Sequence, residues 1–250
     1  MGEKGKWIAD RAVFLSAAVY QAVEQYKNNG RCITPKGFRL SKVLGSKQNP
    51  YAGMILQSKT MVIIVFRGTE TIGELLADTD MAQVRFPYAA AGGYVHRGFA
   101  KLYGRKIRDQ VMNELRGLSA SKQIWITGHS LGGAVATLCT LDIAVNTSFN
   151  NPLLMTFGSP KVGNGKFTAA FSRKIRRSVR VVNSSDLVPV LPPSLKGAEY
   201  SHVKGLYRIR FSRSTIMSNH TIRNYYDVLA GAAPTYSASL KKQSPGFLPD

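Results

Sequence analysis

The segment QIWITGHSLGGAVATL, Gln123 to Leu138, holds one serine among three glycines and carries the first chemical signal in the chain. Its GHSLGG core satisfies the G-x-S-x-G spacing, with Ser130 at the centre. An apolar, strand-like run leads in and an alanine-rich, helix-like run leads out. A nucleophile elbow requires that context: the chain turns from strand to helix so tightly that the serine hydroxyl is thrust out at the carboxyl edge of a sheet. Gly128 and Gly132 remove side chains that would collide across the turn, and Gly133 lets the helix pack closely on its neighbour. The N–H of Leu131 opens the helix and points at the same space, where it serves as an oxyanion donor.

A serine hydroxyl needs a base, and the base needs an orienting acid. In sheets of this type the order along the chain is Ser, then Asp or Glu, then His. The downstream acids are Asp142, Asp186, Glu199, Asp227 and Asp250. Asp142 lies inside the helix after the elbow, and Asp227 follows both downstream histidines. Asp186 comes directly after VRVVNSS, at the end of a buried strand, where catalytic loops gather. Of the four histidines, His96 lies upstream, His129 adjoins the serine and points elsewhere, and His202 approaches a late strand. His220 ends a loop before the last helix and can swing over the elbow. The expected triad is Ser130, Asp186 and His220. Cys139 reads as a small buried residue, no His/Cys cluster has metal-ligand spacing, and neither metal nor cofactor is expected.

The elements that must position these residues follow from periodicity. Ile8, Ala12, Leu15, Val19, Ala22 and Tyr26 recur at helical spacing, and Asp10 and Arg11 interrupt the run, so the N-terminal stretch reads as an amphipathic helix rather than a signal peptide. AGMILQSKTMVIIVFRGT reads as a hairpin. RGFAKLYGRKIRDQVMNELRG reads as one helix with Phe99, Leu102, Val111 and Leu115 inward. Strands are expected at QIWIT, PLLMTFGSP, SVRVVNSSD and GLYRIRF, and a last helix at TIRNYYDVLAGA. Strands alternating with helices predict an α/β fold: a mostly parallel central sheet with helices on both faces. One domain over residues 1–233 and a flexible tail over 234–250 are expected.

Lys and Arg number 34 against 14 Asp and Glu, a net charge of +20. Such a balance predicts attraction to anionic surfaces. Lys166, Arg173, Lys174, Arg176, Arg177 and Arg180 fall in one acid-free stretch, and Lys204, Arg208, Arg210 and Arg213 in another. Gathered on the serine face they would draw the protein to an anionic membrane; dispersed, they serve solubility. No nucleic-acid motif is present, and a catalytically inert basic module binding membrane or nucleic acid is the distant alternative. No stretch is long enough to span a membrane. Without a clear signal peptide, location stays open between the cytoplasm and export by a signal-less route.

Together the segments VIIVFRGTE, VHRGF, GHSLGGAVATL, TFGSPKVGN, RVVNSSDLVPVLPP, YSHVKG and NHTIRNYYDVL, in this order, resemble the class 3 (fungal-type) lipases, an α/β-hydrolase family. The resemblance runs from about Val13 to Leu229. It implies a serine ester hydrolase cleaving fatty-acyl esters of glycerol through an acyl-enzyme, with Ser130 as nucleophile, Asp186 as acid and His220 as base. It also implies that Thr69 joins Leu131 in the oxyanion hole and that a short helical lid carries Ile72, Leu75 and Leu76. Leu75 stands where many relatives have tryptophan, which implies weaker interfacial activation. The expected partner is a lipid or ester substrate at an interface, bound by a monomer. The basic surface favours a phospholipase A1 or lysophospholipase as the alternative.

Overall fold

The computed structural model describes residues 2–47, 49–68, 82–149, 151–193 and 197–250. Thr69 and the expected lid positions Ile72, Leu75 and Leu76 lie outside the described residues.

Seven strands form the main sheet: β1 (Arg39–Leu44), β2 (Gly53–Gln57), β3 (Met61–Phe66), β6 (Gln123–His129), β7 (Leu153–Phe157), β8 (Ser178–Asn183) and β9 (Leu206–Ile209). Their spatial order is β1-β2-β3-β6-β7-β8-β9. The β1–β2–β3 meander is antiparallel. From β3 to β9 every neighbouring pair is parallel, so the carboxyl ends of these strands share one edge. Short strands β4 (Gln83–Arg85) and β5 (Tyr94–His96) pair separately.

Alternation along the strands divides the apolar side chains between two cores. Ile64, Phe66, Ile124 and Ile126 face one core, built with α2 (Arg97–Tyr103), α3 (Arg105–Arg116), α4 (Leu131–Asn146) and α5 (Gly165–Lys174). Ile63, Val65 and Trp125 face the other, covered by α1 (Glu3–Lys27), α6 (Ile222–Ala232) and α7 (Pro234–Gln243). A parallel sheet covered on both faces needs strands buried along their length, and β7 is buried at every position. Residues Gly132 to Ile143 of α4 are all buried, as expected of a helix apolar on every side.

Two expectations are corrected, and one strand was not anticipated. The helix expected from Arg97 to Gly117 is two helices, because the chain turns at Gly104 (φ 4°, ψ 179°); Leu102, expected in the core, is 41% exposed beside that break. Strand β1 had not been anticipated, because its mixed burial leaves no clean alternation in the sequence. Residues 234–250 are not a loose tail. Pro234 sits at the start of α7, Leu240, Phe247 and Leu248 are buried, and the Phe247 ring lies 5.6 Å from that of Phe14. The Gln21 amide donates to the carbonyls of Gly246 (3.0 Å) and Phe247 (2.9 Å). These anchors come from α1, far away in sequence, so no local pattern announces them.

Candidate active site

Strand β6 ends at His129 and α4 begins at Leu131, leaving Ser130 alone to make the turn. Its backbone adopts φ 55°, ψ −129°, a left-handed conformation rare outside glycine and costing about 1–3 kcal/mol. The turn is held from both sides. Ser130 N–H donates to the Phe157 carbonyl at the end of β7 (3.0 Å), and the Ser130 carbonyl accepts from Gly133 N–H (2.9 Å). The glycines are needed for the expected reason: a Cβ on Gly128 would sit 2.3 Å from the Gly132 carbonyl oxygen, and one on Gly132 would sit 2.4 Å from that of Phe66. Gly133 lets α4 approach Ser159, whose Cβ would lie 2.7 Å from an added methyl. Leu131 opens α4, and its N–H is one of the first-turn donors that no helical carbonyl can satisfy.

At the same edge, β8 ends and the chain reaches Asp186, whose N–H donates to the Asn183 carbonyl (3.1 Å). The carboxylate is buried and accepts three hydrogen bonds. His220 Nδ1–H and the Tyr225 hydroxyl both donate to Oδ2 at 2.7 Å, and Val188 N–H donates to Oδ1 at 2.9 Å. Gly158 (φ 54°) at the end of β7 makes room for this pair: a Cβ there would lie 2.8 Å from Asp186 Oδ2 and 3.0 Å from His220 Nδ1. With Nδ1–H committed to the carboxylate, Nε2 is the ring nitrogen left to act on the serine proton. Among the described residues neither Nε2 nor Ser130 Oγ has a hydrogen-bond partner, so the serine–imidazole contact is open here. Such contacts often tighten only when substrate arrives.

A family model described as Lipase (class 3) matches residues 63–196, just over half of the chain. The chain belongs to the class 3 lipases. The Lipase of Rhizomucor miehei is 37% identical over 145 residues, covering 56% of this chain and 40% of that protein. Phospholipase A1-II 7 of Oryza sativa subsp. indica is 33% identical over 221 residues, covering 72% of this chain and 53% of that protein. The chain thus spans about half the length of the curated relatives it matches. The solved structure of Rhizomucor miehei triacylglyceride lipase superposes with a TM-score of 0.68 at 25% identity, over 84% of this chain and 82% of that one.

In this class 3 lipase fold His202 and His129 each commit a ring nitrogen to a backbone carbonyl. The His202 ring donates from Nε2 to the Pro189 carbonyl (2.6 Å), pinning the loop that follows Asp186. Burial, then the Arg180 charge, push its pKa down to about 4. His129 donates from Nε2 to the His220 carbonyl, and burial, then His220, hold its pKa well below the usual histidine range. It braces the backbone of the neighbouring loop as a neutral ring.

Two site residues escaped the sequence reading. The Tyr225 hydroxyl bridges Asn183 N–H (2.9 Å) and Asp186, and burial followed by the Asp186 charge raises its pKa well above the usual phenol value. The Asn183 amide donates to the Asn219 carbonyl (3.1 Å), while its Oδ1 accepts from Phe211 N–H (3.0 Å), tying the acid's loop to the histidine's. Tyr225 lies five residues beyond His220, in a helical stretch that reads as ordinary core. The basic stretches do not gather on this edge. Arg176 and Arg177 precede β8 and Lys204 precedes β9, at the amino ends of the strands, whereas Arg210 and Arg213 follow β9. Parallel strands send residues before and after them to opposite edges, so one stretch cannot supply one patch.

Proposed function

We propose that this protein is a serine carboxylic-ester hydrolase that cleaves fatty-acyl esters of glycerol. His220 Nε2 takes the Ser130 hydroxyl proton as Oγ attacks the ester carbonyl. Asp186 holds the imidazole and stabilises its charged form. Leu131 N–H and, by the family resemblance, Thr69 receive the oxyanion; Ile72, Leu75 and Leu76 belong to the same reading as lid residues. The protonated imidazole then gives its proton to the departing alcohol, an acyl-enzyme remains, and water activated by His220 releases the fatty acid. The observation that carries the proposal is the left-handed Ser130 on a strand-to-helix turn, at the same edge as a buried His220–Asp186 pair with a free Nε2. Thr69 aside, the reacting groups come from described residues of this chain.

A phospholipase A1 is the second reading, favoured by the rice phospholipase A1-II 7, which matches 72% of the chain. The same machinery serves both substrates. The test is labelling by a fluorophosphonate, lost in Ser130→Ala, followed by hydrolysis of triacylglycerol, monoacylglycerol and phospholipid with several acyl lengths. Failure of the folded protein to label would sink both readings, and release of the sn-1 acyl chain from phospholipid in preference to acylglycerol would select the second.

A further inference from the structure

At the edge of the sheet opposite Ser130 lies a half-open cavity of about 730 Å³. It is formed where α1 crosses the amino ends of β6, β7, β8 and β9. Its walls are apolar: Trp7 and Ile8 from α1, and Trp125, Leu153, Val179 and Leu206 from the strands. The Trp7 and Trp125 rings lie 5.7 Å apart at 37°. Leu206, on the edge strand, is 48% exposed. The volume falls within the range that takes a small molecule.

The charged side chains among the lining residues are all positive: Arg176, Arg177 and Lys204. Ser178 Oγ donates to the Lys204 carbonyl (2.9 Å), which brings the two basic segments to one mouth. No Asp or Glu is among the described lining residues, and none of the three cations forms an ion pair with a described residue. Lys204 Nζ instead donates to the Ser172 carbonyl (3.3 Å). An apolar hollow ringed by cations without ion-pair partners among the described residues suits a ligand with an apolar body and an anionic end. The guanidinium fork of an arginine can take both oxygens of a carboxylate.

We propose that this groove binds a long-chain fatty-acid carboxylate, with the acyl chain along the Trp7–Trp125 wall and the carboxylate among Arg176, Arg177 and Lys204. Trp125 lies five residues before Ser130 on β6, roughly 16 Å away along an extended strand. The groove is therefore separate from the serine edge, and its occupancy does not depend on the proposed ester hydrolysis.

The molecule carries its own reporter, because its two tryptophans are Trp7 and Trp125. Ser130→Ala protein titrated with dibrominated stearate, below the micelle concentration, should show saturable quenching of tryptophan fluorescence. The methyl ester of the same acid, lacking the charge, should bind at least tenfold more weakly. Arg176→Gln/Arg177→Gln/Lys204→Gln, added together, should also weaken binding at least tenfold. The same triple change in the Ser130 protein should leave hydrolysis of a dissolved short-chain ester unaltered. Affinity for the acid should fall as salt rises. Quenching that does not saturate, equal affinity for acid and methyl ester, or undiminished binding to a folded triple variant would each overturn the proposal. Should the triple variant not fold, the comparison of acid with methyl ester decides alone.

Discussion

Asp142 and Asp186 are both buried carboxylates, and each accepts a 2.7 Å hydrogen bond from a buried tyrosine hydroxyl, Tyr103 for the first and Tyr225 for the second. Their remaining partners separate them. Asp142 faces Arg108, which donates from Nε at 2.6 Å and Nη2 at 3.1 Å, and it also accepts from Asn146 at 2.7 Å. The guanidinium does not lose its proton at any ordinary pH, and its hydrogen bonds to Asp142 raise its pKa further. Asp186 faces an imidazole whose second nitrogen has no partner among the described residues. Burial of a carboxylate therefore says little about catalysis. A partner that can pass a proton on, at the edge where Ser130 stands, is what distinguishes the two.

The largest expected effects test that contrast directly. Ser130→Ala and His220→Ala should each lower kcat by roughly 10⁴-fold or more in a protein that unfolds at nearly the same temperature, and Asp186→Asn should do much the same. Asp142→Asn should act on the other property, leaving Arg108 partly buried without its counter-charge and costing about 3–5 kcal/mol of stability. Urea denaturation and the turnover of the folded fraction separate the two. A folded Asp142→Asn protein without activity would erase the distinction.

A second effect concerns pH. With His202 held near pKa 4, against about 6.5 in the unfolded chain, the unfolded state binds a proton that the native state does not. Its contribution to stability is therefore present above about pH 6.5 and is lost as pH falls toward 4, by up to about 1.4 kcal/mol per pH unit. His129, also depressed, acts in the same direction. Urea midpoints across this window should depend less steeply on pH in His202→Asn, by about one proton. Parallel curves would show that His202 is not held neutral.

The tyrosines give the smallest and sharpest comparison. Tyr225→Phe removes one of the hydrogen bonds that orient Asp186 and should lower kcat by about 10-fold, with a shift in the acid limb of the pH–rate profile. Tyr103→Phe should cost about 1–2 kcal/mol of stability and leave that profile unmoved. Equal profiles for the two variants would mean that Tyr225 is structural alone.

The elbow was legible because Gly128, Gly132 and Gly133 are needed where backbone meets backbone, a constraint that allows few other residues. The pairing of Asp186 with His220 was legible through chain order, with Asp186 after a buried strand and His220 in the loop before the last helix, and the structure joins the two by a hydrogen bond. Tyr225 was not legible: an inward tyrosine on an amphipathic helix looks the same whether its hydroxyl ends on a carboxylate or on water. Nor was the division of the basic stretches, because it depends on which edge of the sheet each strand begins from. Residues 234–250 were misread for a related reason. Their few apolar side chains fit a surface on α1 made by residues more than 200 positions away.

That distant closure has a consequence in time. Gln21 and Gly246 are 225 positions apart, and the Phe14 ring rests on Phe247. A ribosome adding about 5–20 residues each second takes on the order of ten to forty seconds to travel between them. Once α1 has left the tunnel, part of its apolar stripe stays uncovered until residues 246 and 247 follow, long enough for a nascent-chain chaperone to find it.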